Sequence, residues 1–390
     1  MINKKRIITI LGVLSAIGSL SIDMYLPAFK IIAHGFNSSE VQIAYTLSSF
    51  LFGICVGQLI SGPLLDHYGR KRILYIGLGI YIISSVACGL SVDHKQLLVF
   101  RFIQALGASI GIVAPSAIVR QLFPEQDRPK TYSLIFLILG VSPIIAPSIG
   151  SLILNYLSWP FIFYTAAAII LILLFAIRKW LPEQTIHSDL NKFSIRNAFV
   201  GYGLLLQDIR FTARSLAIAI GSAASFSIVG GAPLLFLDYY QLSEQQFGWV
   251  FAFIASGLIL GGLSSRLILN KVTSFTILKF GLPAQVMLGL IILVSLKLGF
   301  TAMWIFIVLL FFFLLLQGMI YPNLVNLTLK PIEQKAGSAT ALMGSFRMAL
   351  GALAAFLSSF FYSGNASAMS YLIFLFVAVS GGIFYFFARD

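Results

Sequence analysis

Twelve apolar stretches follow one another along this 390-residue chain, and they limit its possible folds more than any other feature. A helix of about 20 residues crosses the hydrocarbon core of a bilayer, so each stretch is predicted to be a transmembrane helix. The predicted windows are 7–29, 41–64, 73–90, 96–122, 131–157, 160–176, 213–237, 247–263, 273–294, 301–328, 337–362 and 367–387. The chain is therefore predicted to be an all-α polytopic membrane protein.

The composition agrees with a membrane environment. Hydrophobic residues make up 59% of the chain and charged residues only 10%, whereas soluble domains carry about 25% charged residues. No cleavable signal peptide is expected, because the first apolar stretch is long enough to span the membrane and lacks a small-residue cleavage site.

The net charge of +13 is interpreted as topology rather than as nucleic-acid binding. With the N-terminus inside, 20 of the 26 Lys and Arg residues fall in inner segments, and the outer segments hold only Lys30, Lys95 and Lys297. Such an excess of basic residues is typical of the cytoplasmic side. The chain is predicted to be a monomer in the bacterial cytoplasmic (inner) membrane, multi-pass, with both termini cytoplasmic and no nucleic-acid partner.

Residues that carry enzyme or metal chemistry are few and scattered. Cys55 and Cys88 lie within predicted spans and form no motif, and the four His residues lie in or beside predicted loops. A metal site needs several such ligands together. The sequence predicts neither an enzyme nor a cofactor, and transport is expected to be driven by the proton gradient.

A polar interval, residues 178–210, separates six spans from six. It divides the chain into an N-terminal six-helix lobe (1–180), a cytoplasmic linker (181–210) and a C-terminal six-helix lobe (211–390). Within the linker, Ile195, Phe199, Tyr202, Leu205 and Leu206 recur at near-helical spacing. This spacing predicts a short helix on the membrane surface, with a simple tether as the alternative.

The two halves also resemble each other. GPLLDHYGRKR, residues 62–72, follows the second span, and GLSSRLILNK, residues 262–271, follows the eighth, with Asp66 aligned to Arg266. Two related sets of six spans are typical of a transporter whose substrate site lies between two lobes near the bilayer midplane.

The segment GPLLDHYGRKR is the most specific local pattern. Gly62 and Gly69 permit close approach and a tight turn. Asp66 is predicted at the cytoplasmic end of a helix, beside a cluster of three basic residues, Arg70, Lys71 and Arg72. The alternative interpretation is a basic loop that only anchors the orientation.

Two charged residues are predicted in the outer half of the first lobe. Asp23 lies in SIDMYLPAF, where an ionised carboxylate in hydrocarbon costs about 2.5–3.5 kcal/mol. It precedes Lys30 by seven residues, and Arg101 follows Lys95 by six. At about 1.5 Å per residue, both are expected roughly 9–11 Å below the outer loops, where they can pair. Alternatively, the Arg101 side chain extends outward to the interface.

The fifth span carries GVSPIIAPSIGS. Ser142, Ala146 and Gly150 fall four residues apart and form a small face that lets another helix approach closely. Pro143 and Pro147 are expected to bend the helix. Ordinary helix packing is the alternative to a functional role for this face.

Together with RFIQALGAS at Arg101 and GSATALMGS at Gly337, these motifs resemble the Bcr/CflA subfamily of drug:proton antiporters in the major facilitator superfamily. The resemblance implies that GPLLDHYGRKR is a conformational latch, that Arg101 assists proton coupling and that A-P-x-x-G-S is an antiporter motif. Ala146 and Ser151 depart from the glycines usual in that motif. Some relatives carry a second acidic residue where this chain has Ser15.

We therefore hypothesise that Asp23 is the proton-coupling carboxylate and Arg101 its partner, with a permanently ionised brace as the alternative. Arg347 is expected about 15 Å deep in the eleventh span, without an acidic partner. It either favours cargo with an anionic or polar acceptor group or braces a helix. The candidate residues of the substrate cavity are Tyr25, Tyr45, Gln104 and Arg347.

The predicted function is proton-coupled export of drugs or other amphipathic small molecules by alternating access. A dedicated exporter or importer of one metabolite, such as a siderophore or a sugar, is the second hypothesis. A receptor or enzyme is disfavoured, because the sequence contains no sizeable soluble domain.

Overall fold

The computed structural model describes residues 4–182, 195–269, 271–298, 302–329 and 336–388. Twelve helices in these residues are long and apolar enough to cross a membrane, which confirms the predicted spans. The first half contains α1 (Lys4–Asp23), α2 (Phe29–Gly35), α3 (Glu40–Tyr68), α4 (Arg70–Gly89), α5 (His94–Leu122), α6 (Arg128–Tyr156) and α7 (Pro160–Trp180). After α8 (Ile195–Leu206), the second half contains α9 (Ile209–Pro233), α10 (Glu244–Ile268), α11 (Ser274–Lys297), α12 (Met303–Leu329), α13 (Ala336–Phe360) and α14 (Ser367–Ile383).

The first span is a broken helix. α1 ends at Asp23, a turn of 3-10 helix covers Leu26–Ala28, and α2 carries the chain on to Gly35. Pro27 lies in the first turn of the 3-10 segment, where its missing N–H costs no hydrogen bond. The predicted window 7–29 therefore ended too early, and Lys30, which was assigned to an outer loop, lies within α2.

Two helices at equivalent places begin with the same cap. We name the ends of the bundle by the predicted orientation, so α3 and α10 both begin at the outer end. The Ser39 side chain accepts a hydrogen bond from the Gln42 backbone N–H, while the Gln42 side chain accepts one from the Ser39 N–H. Ser243 and Gln246 repeat this capping box at α10. Two Ser-Glu-x-Gln sequences thus start equivalent spans.

Glycine contacts give the register between the halves. A Cβ atom at Gly53 of α3 would lie 2.7 Å from the carbonyl oxygen of Phe102 in α5. One at Gly257 of α10 would meet the carbonyl oxygen of Phe311 in α12. α3 and α10 therefore correspond at an offset of 204 residues, from 53 to 257. The same offset separates the starts of α3 and α10 and those of α4 and α11.

This register corrects the predicted alignment of Asp66 with Arg266. Asp66 corresponds instead to Asn270, which lies outside the described residues. The earlier alignment matched Gly62 with Gly262, but no atom lies within 4 Å of a Cβ placed at Gly62. That glycine therefore fixes no helix contact in this structure, and the close approach predicted for it is absent there.

The helices form two six-span lobes that meet along two helix pairs. α3 packs against α13, and α6 packs against α10. Near mid-height, the Ser345 hydroxyl of α13 donates a hydrogen bond to the Cys55 carbonyl oxygen of α3, at 3.1 Å. This contact joins the lobes through a backbone acceptor.

The predicted linker helix is confirmed as α8. Tyr202 and Leu205 are buried, and the Tyr202 hydroxyl donates to the Leu59 carbonyl oxygen at 3.3 Å. The side chains of residues 195–199 lie outside the described part of the chain. α8 contacts α3 as well as α9 and α13, so it docks on both lobes rather than serving only as a tether.

Candidate transport site

Arg101 lies inside the first lobe, in a cage of aromatic rings. Its side chain is fully buried, and its guanidinium carbon lies 4.1 Å from the ring centroid of Phe50, 4.8 Å from that of Tyr25 and 5.8 Å from that of Phe163. Ring faces attract a cation at such distances. Because the side chain is enclosed, it does not extend to the outer interface, which was the alternative from the sequence.

A polar chain leads from Arg101 into α4. Arg101 Nη1 donates to Gln104 Oε1 at 2.7 Å, and Gln104 Nε2 donates to Ser85 Oγ at 2.7 Å. Arg101 Nε and Nη2 have no hydrogen-bond partner. The charge is therefore held by one amide and three rings, and Gln104 positions the guanidinium.

Two tyrosines tie the broken first span to this region. The Tyr25 hydroxyl lies 2.8 Å from Thr46 Oγ1, and the Tyr81 hydroxyl lies 2.6 Å from Ser21 Oγ. Thr46 and Ser21 each donate their own proton to a backbone carbonyl, so the tyrosines are the donors in these bonds. Tyr25 is fully buried in this structure, and its place in the substrate cavity stays a prediction. Thr46, Tyr81 and Ser85 were missed, because isolated hydroxyls in apolar spans give no sequence signal.

Asp23 is buried at the last residue of α1. Ser19 Oγ donates to Asp23 Oδ2 at 2.5 Å, a length typical of a hydroxyl bonded to a carboxylate. No ion pair within 4.0 Å joins Asp23 and Arg101, both of which are described residues. The predicted pair is therefore absent from this structure.

The break in the first span changes the residue count on which equal depth was predicted. Asp23 precedes the end of α2 at Gly35 by twelve residues, whereas Arg101 follows the start of α5 at His94 by seven. The twelve residues include a turn and the 3-10 segment, so the rise of about 1.5 Å per residue of an α-helix does not convert them into a depth. The equal depth of the two residues stays a prediction.

A polar stripe on α1 leads to Asp23. Ser15, Ser19 and Asp23 are spaced four residues apart and share one helix face. Ser15 and Ser19 are partly exposed, and the Ser15 hydroxyl donates to the Leu11 carbonyl oxygen. Ser15, where some relatives carry a second acidic residue, therefore lies on the same helix face as Asp23, two turns away.

The small face of α6 packs against the break in the first span. A Cβ atom at Gly150 would meet the Met24 carbonyl oxygen. Ala146 is fully buried one turn earlier, and Ser142 is buried with a hydroxyl that has no partner. Pro143 and Pro147 lie within the continuous α6 helix. Gly150 of the predicted antiporter motif therefore contacts the residue that follows Asp23.

The predicted latch segment donates hydrogen bonds to α5 and to the residue that follows α7. Gly69 adopts a φ of 87° between α3 and α4, a conformation that favours glycine. Arg70 Nη1 donates to the Ala117 carbonyl oxygen at 2.6 Å and to the Gln121 side chain, and Lys71 Nζ donates to the Leu181 carbonyl oxygen at 2.8 Å. Arg72 is exposed. The side chain of Asp66 lies outside the described part, so its role as a latch stays a prediction.

The remaining candidates lie apart from Asp23. The Arg347 guanidinium lies 5.2 Å from the Tyr321 ring centroid, and its buried Nε has no hydrogen-bond partner. This contact bridges α13 and α12, as a helix brace would. The Tyr45 ring lies 5.1 Å from that of Phe356, in a crevice between the lobes. Tyr25 and Gln104 are fully buried, whereas Tyr45 lines the crevice, so a substrate cavity shared by Tyr25, Tyr45, Gln104 and Arg347 stays a prediction.

The lobes are also joined at the outer end. Lys30 Nζ donates to Gln241 Oε1 at 3.0 Å, and the Ser151 hydroxyl lies 2.8 Å from the Glu244 carbonyl oxygen. Nearby, Tyr362 donates to Asp238 Oδ2 at 2.9 Å. Burial, together with this hydrogen bond, raises the pKa of Tyr362, so its hydroxyl stays protonated. These contacts close the outer end between α2, α6 and the loop before α10.

Twelve spans in two repeated lobes, with buried polar groups inside the first lobe, define a secondary membrane transporter. The chain belongs to the Major Facilitator Superfamily, whose sequence pattern it matches over residues 11–355. It is thus a carrier of small molecules in a membrane and not an enzyme, as the sequence predicted.

Individual relatives agree with this assignment. The chain is 32% identical to an uncharacterized MFS-type transporter, YdgK, of Bacillus subtilis, over 88% of this chain and 86% of the relative. It is 28% identical to a bicyclomycin resistance protein homolog of Haemophilus influenzae, over 96% and 94%. A D-xylose-proton symporter has the same fold, with a TM-score of 0.76, 13% identity and 98% coverage of both chains. The predicted resemblance to the superfamily and its Bcr/CflA branch is confirmed.

Proposed function

We propose that the protein exports amphipathic small molecules across the cytoplasmic membrane in exchange for protons. The observation that carries this proposal is Asp23, a buried carboxylate at the break of the first span with one hydroxyl donor and no ion pair to Arg101. The similarity to a bicyclomycin resistance homolog supports drug-like cargo.

Asp23 is the group that takes up and releases the proton. When Asp23 is ionised, the Ser19 hydroxyl stabilises the carboxylate. When it is protonated, the buried charge disappears, and with it the main cost of keeping this residue in an apolar setting. A change at Asp23 acts directly on Met24, whose carbonyl oxygen is packed against Gly150 of α6. Because α6 also contacts α10 of the other lobe, the proton is coupled to the lobe arrangement.

Arg101 acts in this proposal as a positioning residue. Its guanidinium lies against the Tyr25 ring, two residues after Asp23, and is fixed by Gln104. It keeps the broken segment in place and adds a positive potential to the first lobe. A direct proton relay between Arg101 and Asp23 is not part of the proposal.

Proton release from the purified protein tests the role of Asp23. Adding bicyclomycin to wild-type protein in weakly buffered detergent solution is expected to release protons, and Asp23→Asn is expected to release none. Asp127→Asn is the matched control, because Asp127 forms a surface ion pair with Lys4 at 2.9 Å and should release protons like the wild type. Equal release by Asp23→Asn and wild type would refute the assignment.

Susceptibility profiling of expressing cells, with and without a proton uncoupler, tests the cargo class. Reduced susceptibility to several unrelated amphipathic compounds, lost with the uncoupler, is expected. A change confined to one nutrient or siderophore would favour a dedicated metabolite carrier instead.

We further propose that both termini are cytoplasmic, that the protein acts as a monomer, and that the lobes are residues 1–180 and 211–390 with the linker between them. The distribution of Lys and Arg supports the orientation. Labelling single cysteines introduced at 37 and 208 with an impermeant reagent in whole cells should modify only the first.

A further inference from the structure

A crevice lies between the lobes in the outer half of the spans. It has a volume of about 540 Å³ and is bounded by α3 and α5 on one side and α13 on the other. Its walls contain Tyr45, Phe52, Leu353 and Phe356, and no charged residue is among its lining residues. A volume of this size suits a drug-sized molecule.

The crevice opens sideways, towards the lipid. Phe52 is 52% exposed, Leu353 46% and Phe356 36%, although all three lie within spans. Tyr45 follows the outer end of α3 by five residues, and Phe356 precedes the outer end of α13 by four. At about 1.5 Å per residue, the opening lies within roughly 6–18 Å of the outer end, in the outer leaflet under the proposed orientation.

One buried hydroxyl in the crevice has no partner. Ser48 is only 8% exposed and lines the crevice, but its Oγ makes no hydrogen bond. Other hydroxyls of α3 are satisfied: Thr46 donates to the Ile43 carbonyl and Ser61 to the Gly57 carbonyl. Ser48 can therefore donate to a polar atom of a bound molecule, although unpartnered buried hydroxyls also occur at serines that do not line the crevice, such as Ser142 and Ser370.

We propose that this outer crevice binds an uncharged aromatic amphiphile at the level of the outer leaflet. The ligand's ring packs against the Tyr45–Phe356 pair, and one acceptor atom accepts a hydrogen bond from Ser48. An uncharged lining offers no compensation for an ionic group, so charged compounds are excluded. The ligand class rests on the proposed function, because it is the cargo class of the exporter.

Occupancy of the crevice is coupled to the lobe arrangement, because its walls belong to both lobes. A ligand that contacts α3 and α13 together binds most tightly when their separation is the one seen here. The crevice is therefore a binding site for cargo at the membrane-facing side of the lobe interface. It exists in the arrangement of the lobes seen here.

Benzophenone is a suitable probe, because it is uncharged and aromatic, carries one carbonyl acceptor and forms photo-crosslinks itself. Purified protein in lipid nanodiscs is titrated with benzophenone, illuminated and mapped by peptide mass spectrometry. Saturable labelling of α3 and α13 around Tyr45 and Phe356 is expected. Labelling near Phe280, a lipid-facing residue of α11 that is 67% exposed, is expected to rise linearly without saturation.

Two variants test the binding mode. Ser48→Ala should raise the half-saturating concentration of benzophenone by about five- to tenfold, as loss of one hydrogen bond predicts. The matched Ser61→Ala should leave it unchanged. Ala352→Phe, which fills the crevice, should abolish saturable labelling. Elution volume and melting temperature show whether each variant is folded, and Ser48→Ala, which removes one oxygen atom, keeps the test valid if Ala352→Phe fails to fold.

Three results would overturn the proposal. The first is labelling at the crevice that rises linearly, as it does at Phe280. The second is a Ser48→Ala titration identical to that of the wild type. The third is loss of labelling when short-chain lipid is replaced by long-chain lipid, because an acyl chain would then be the occupant. Proton release by the wild type and saturable labelling of Asp23→Asn are measured in parallel. The crevice and the proton coupling can therefore fail separately.

Discussion

The two lobes share a scaffold but differ in what they bury. Each has a capping box at the start of its second span and a glycine that packs on a phenylalanine carbonyl, Gly53 on Phe102 and Gly257 on Phe311. The two contacts match Phe102 with Phe311, an offset of 209 between α5 and α12, so Arg101 corresponds to Leu310, and both are fully buried. The first lobe thus places a cation where the second places a hydrocarbon side chain.

The second lobe contains two buried polar pairs that carry no charge. Gln285 Nε2 donates to Gln317 Oε1 at 2.6 Å, and Asn323 Nδ2 donates to Ser265 Oγ at 2.7 Å. At the place of Arg101 the second lobe has Leu310, although it holds cations elsewhere, at Arg214 and Arg347. A buried charge costs free energy that an amide pair does not, and this cost favours a functional reason for Arg101 and Asp23 over a folding one.

Exchanging the two equivalent residues gives the largest expected effect. Leu310→Arg should prevent folding or lower stability by about 3–5 kcal/mol, because the second lobe has no partner for the charge at that place. Arg101→Leu should fold with a melting temperature equal to or above that of the wild type, but lose transport. Folded yield by size-exclusion chromatography and efflux assays measure both. A strongly destabilised Arg101→Leu would show that the scaffold itself needs the cation.

The glycine contacts test whether the lobes are equally well packed. Gly53→Ala and Gly257→Ala should each lower stability by about 1–3 kcal/mol, because each new methyl group meets a backbone carbonyl. Gly79→Ala is the control, since nothing lies within 4 Å of its Cβ, and it should be neutral or stabilising. Thermal unfolding in detergent measures all three. If alanine were tolerated at only one of the two positions, this result would contradict the proposed correspondence between α3 and α10.

The capping boxes should give the smallest and most equal pair of effects. Ser39→Ala and Ser243→Ala each remove one side-chain acceptor from a helix start and should cost about 1 kcal/mol. Replacement by Asp should retain most of the stability, because Asp also caps well. The melting temperatures of the Ala and Asp variants at each position test this expectation. A clear difference between the losses at Ser39 and Ser243 would mean that the repeat does not extend to the caps.

Much of the fold was predictable because membrane insertion follows length and hydropathy. All twelve spans and the linker helix α8 were predicted from these patterns. The register between the halves was not, since the alignment relied on Gly62, where an added Cβ atom would meet no atom within 4 Å. The repeated Ser-Glu-x-Gln sequences at Ser39 and Ser243 carried the correct signal.

The site was less predictable, because it depends on where one helix breaks. Counting residues from Lys30 placed Asp23 level with Arg101, but α2 extends the span to Gly35. The aromatic cage of Arg101 draws on the turn after α1 and on α3 and α7, and no spacing within one helix reveals such a set. Likewise, the sequence shows that Tyr45 lies in a span but not that it faces a crevice at the lobe boundary.

Ser151, one of the two departures from the usual antiporter motif, has a consequence for tolerance to mutation. Its hydroxyl lies within hydrogen-bonding distance of two main-chain oxygens, that of Pro147 in its own helix at 2.9 Å and that of position 244 in the other lobe at 2.8 Å. Every amino acid at position 244 presents such an oxygen. Position 244 can therefore vary without loss of this hydrogen bond between the lobes. Position 151 accepts only a short side chain that carries a hydrogen-bond donor. Mutational scanning would record the two ends of a single bond as one permissive and one restricted site.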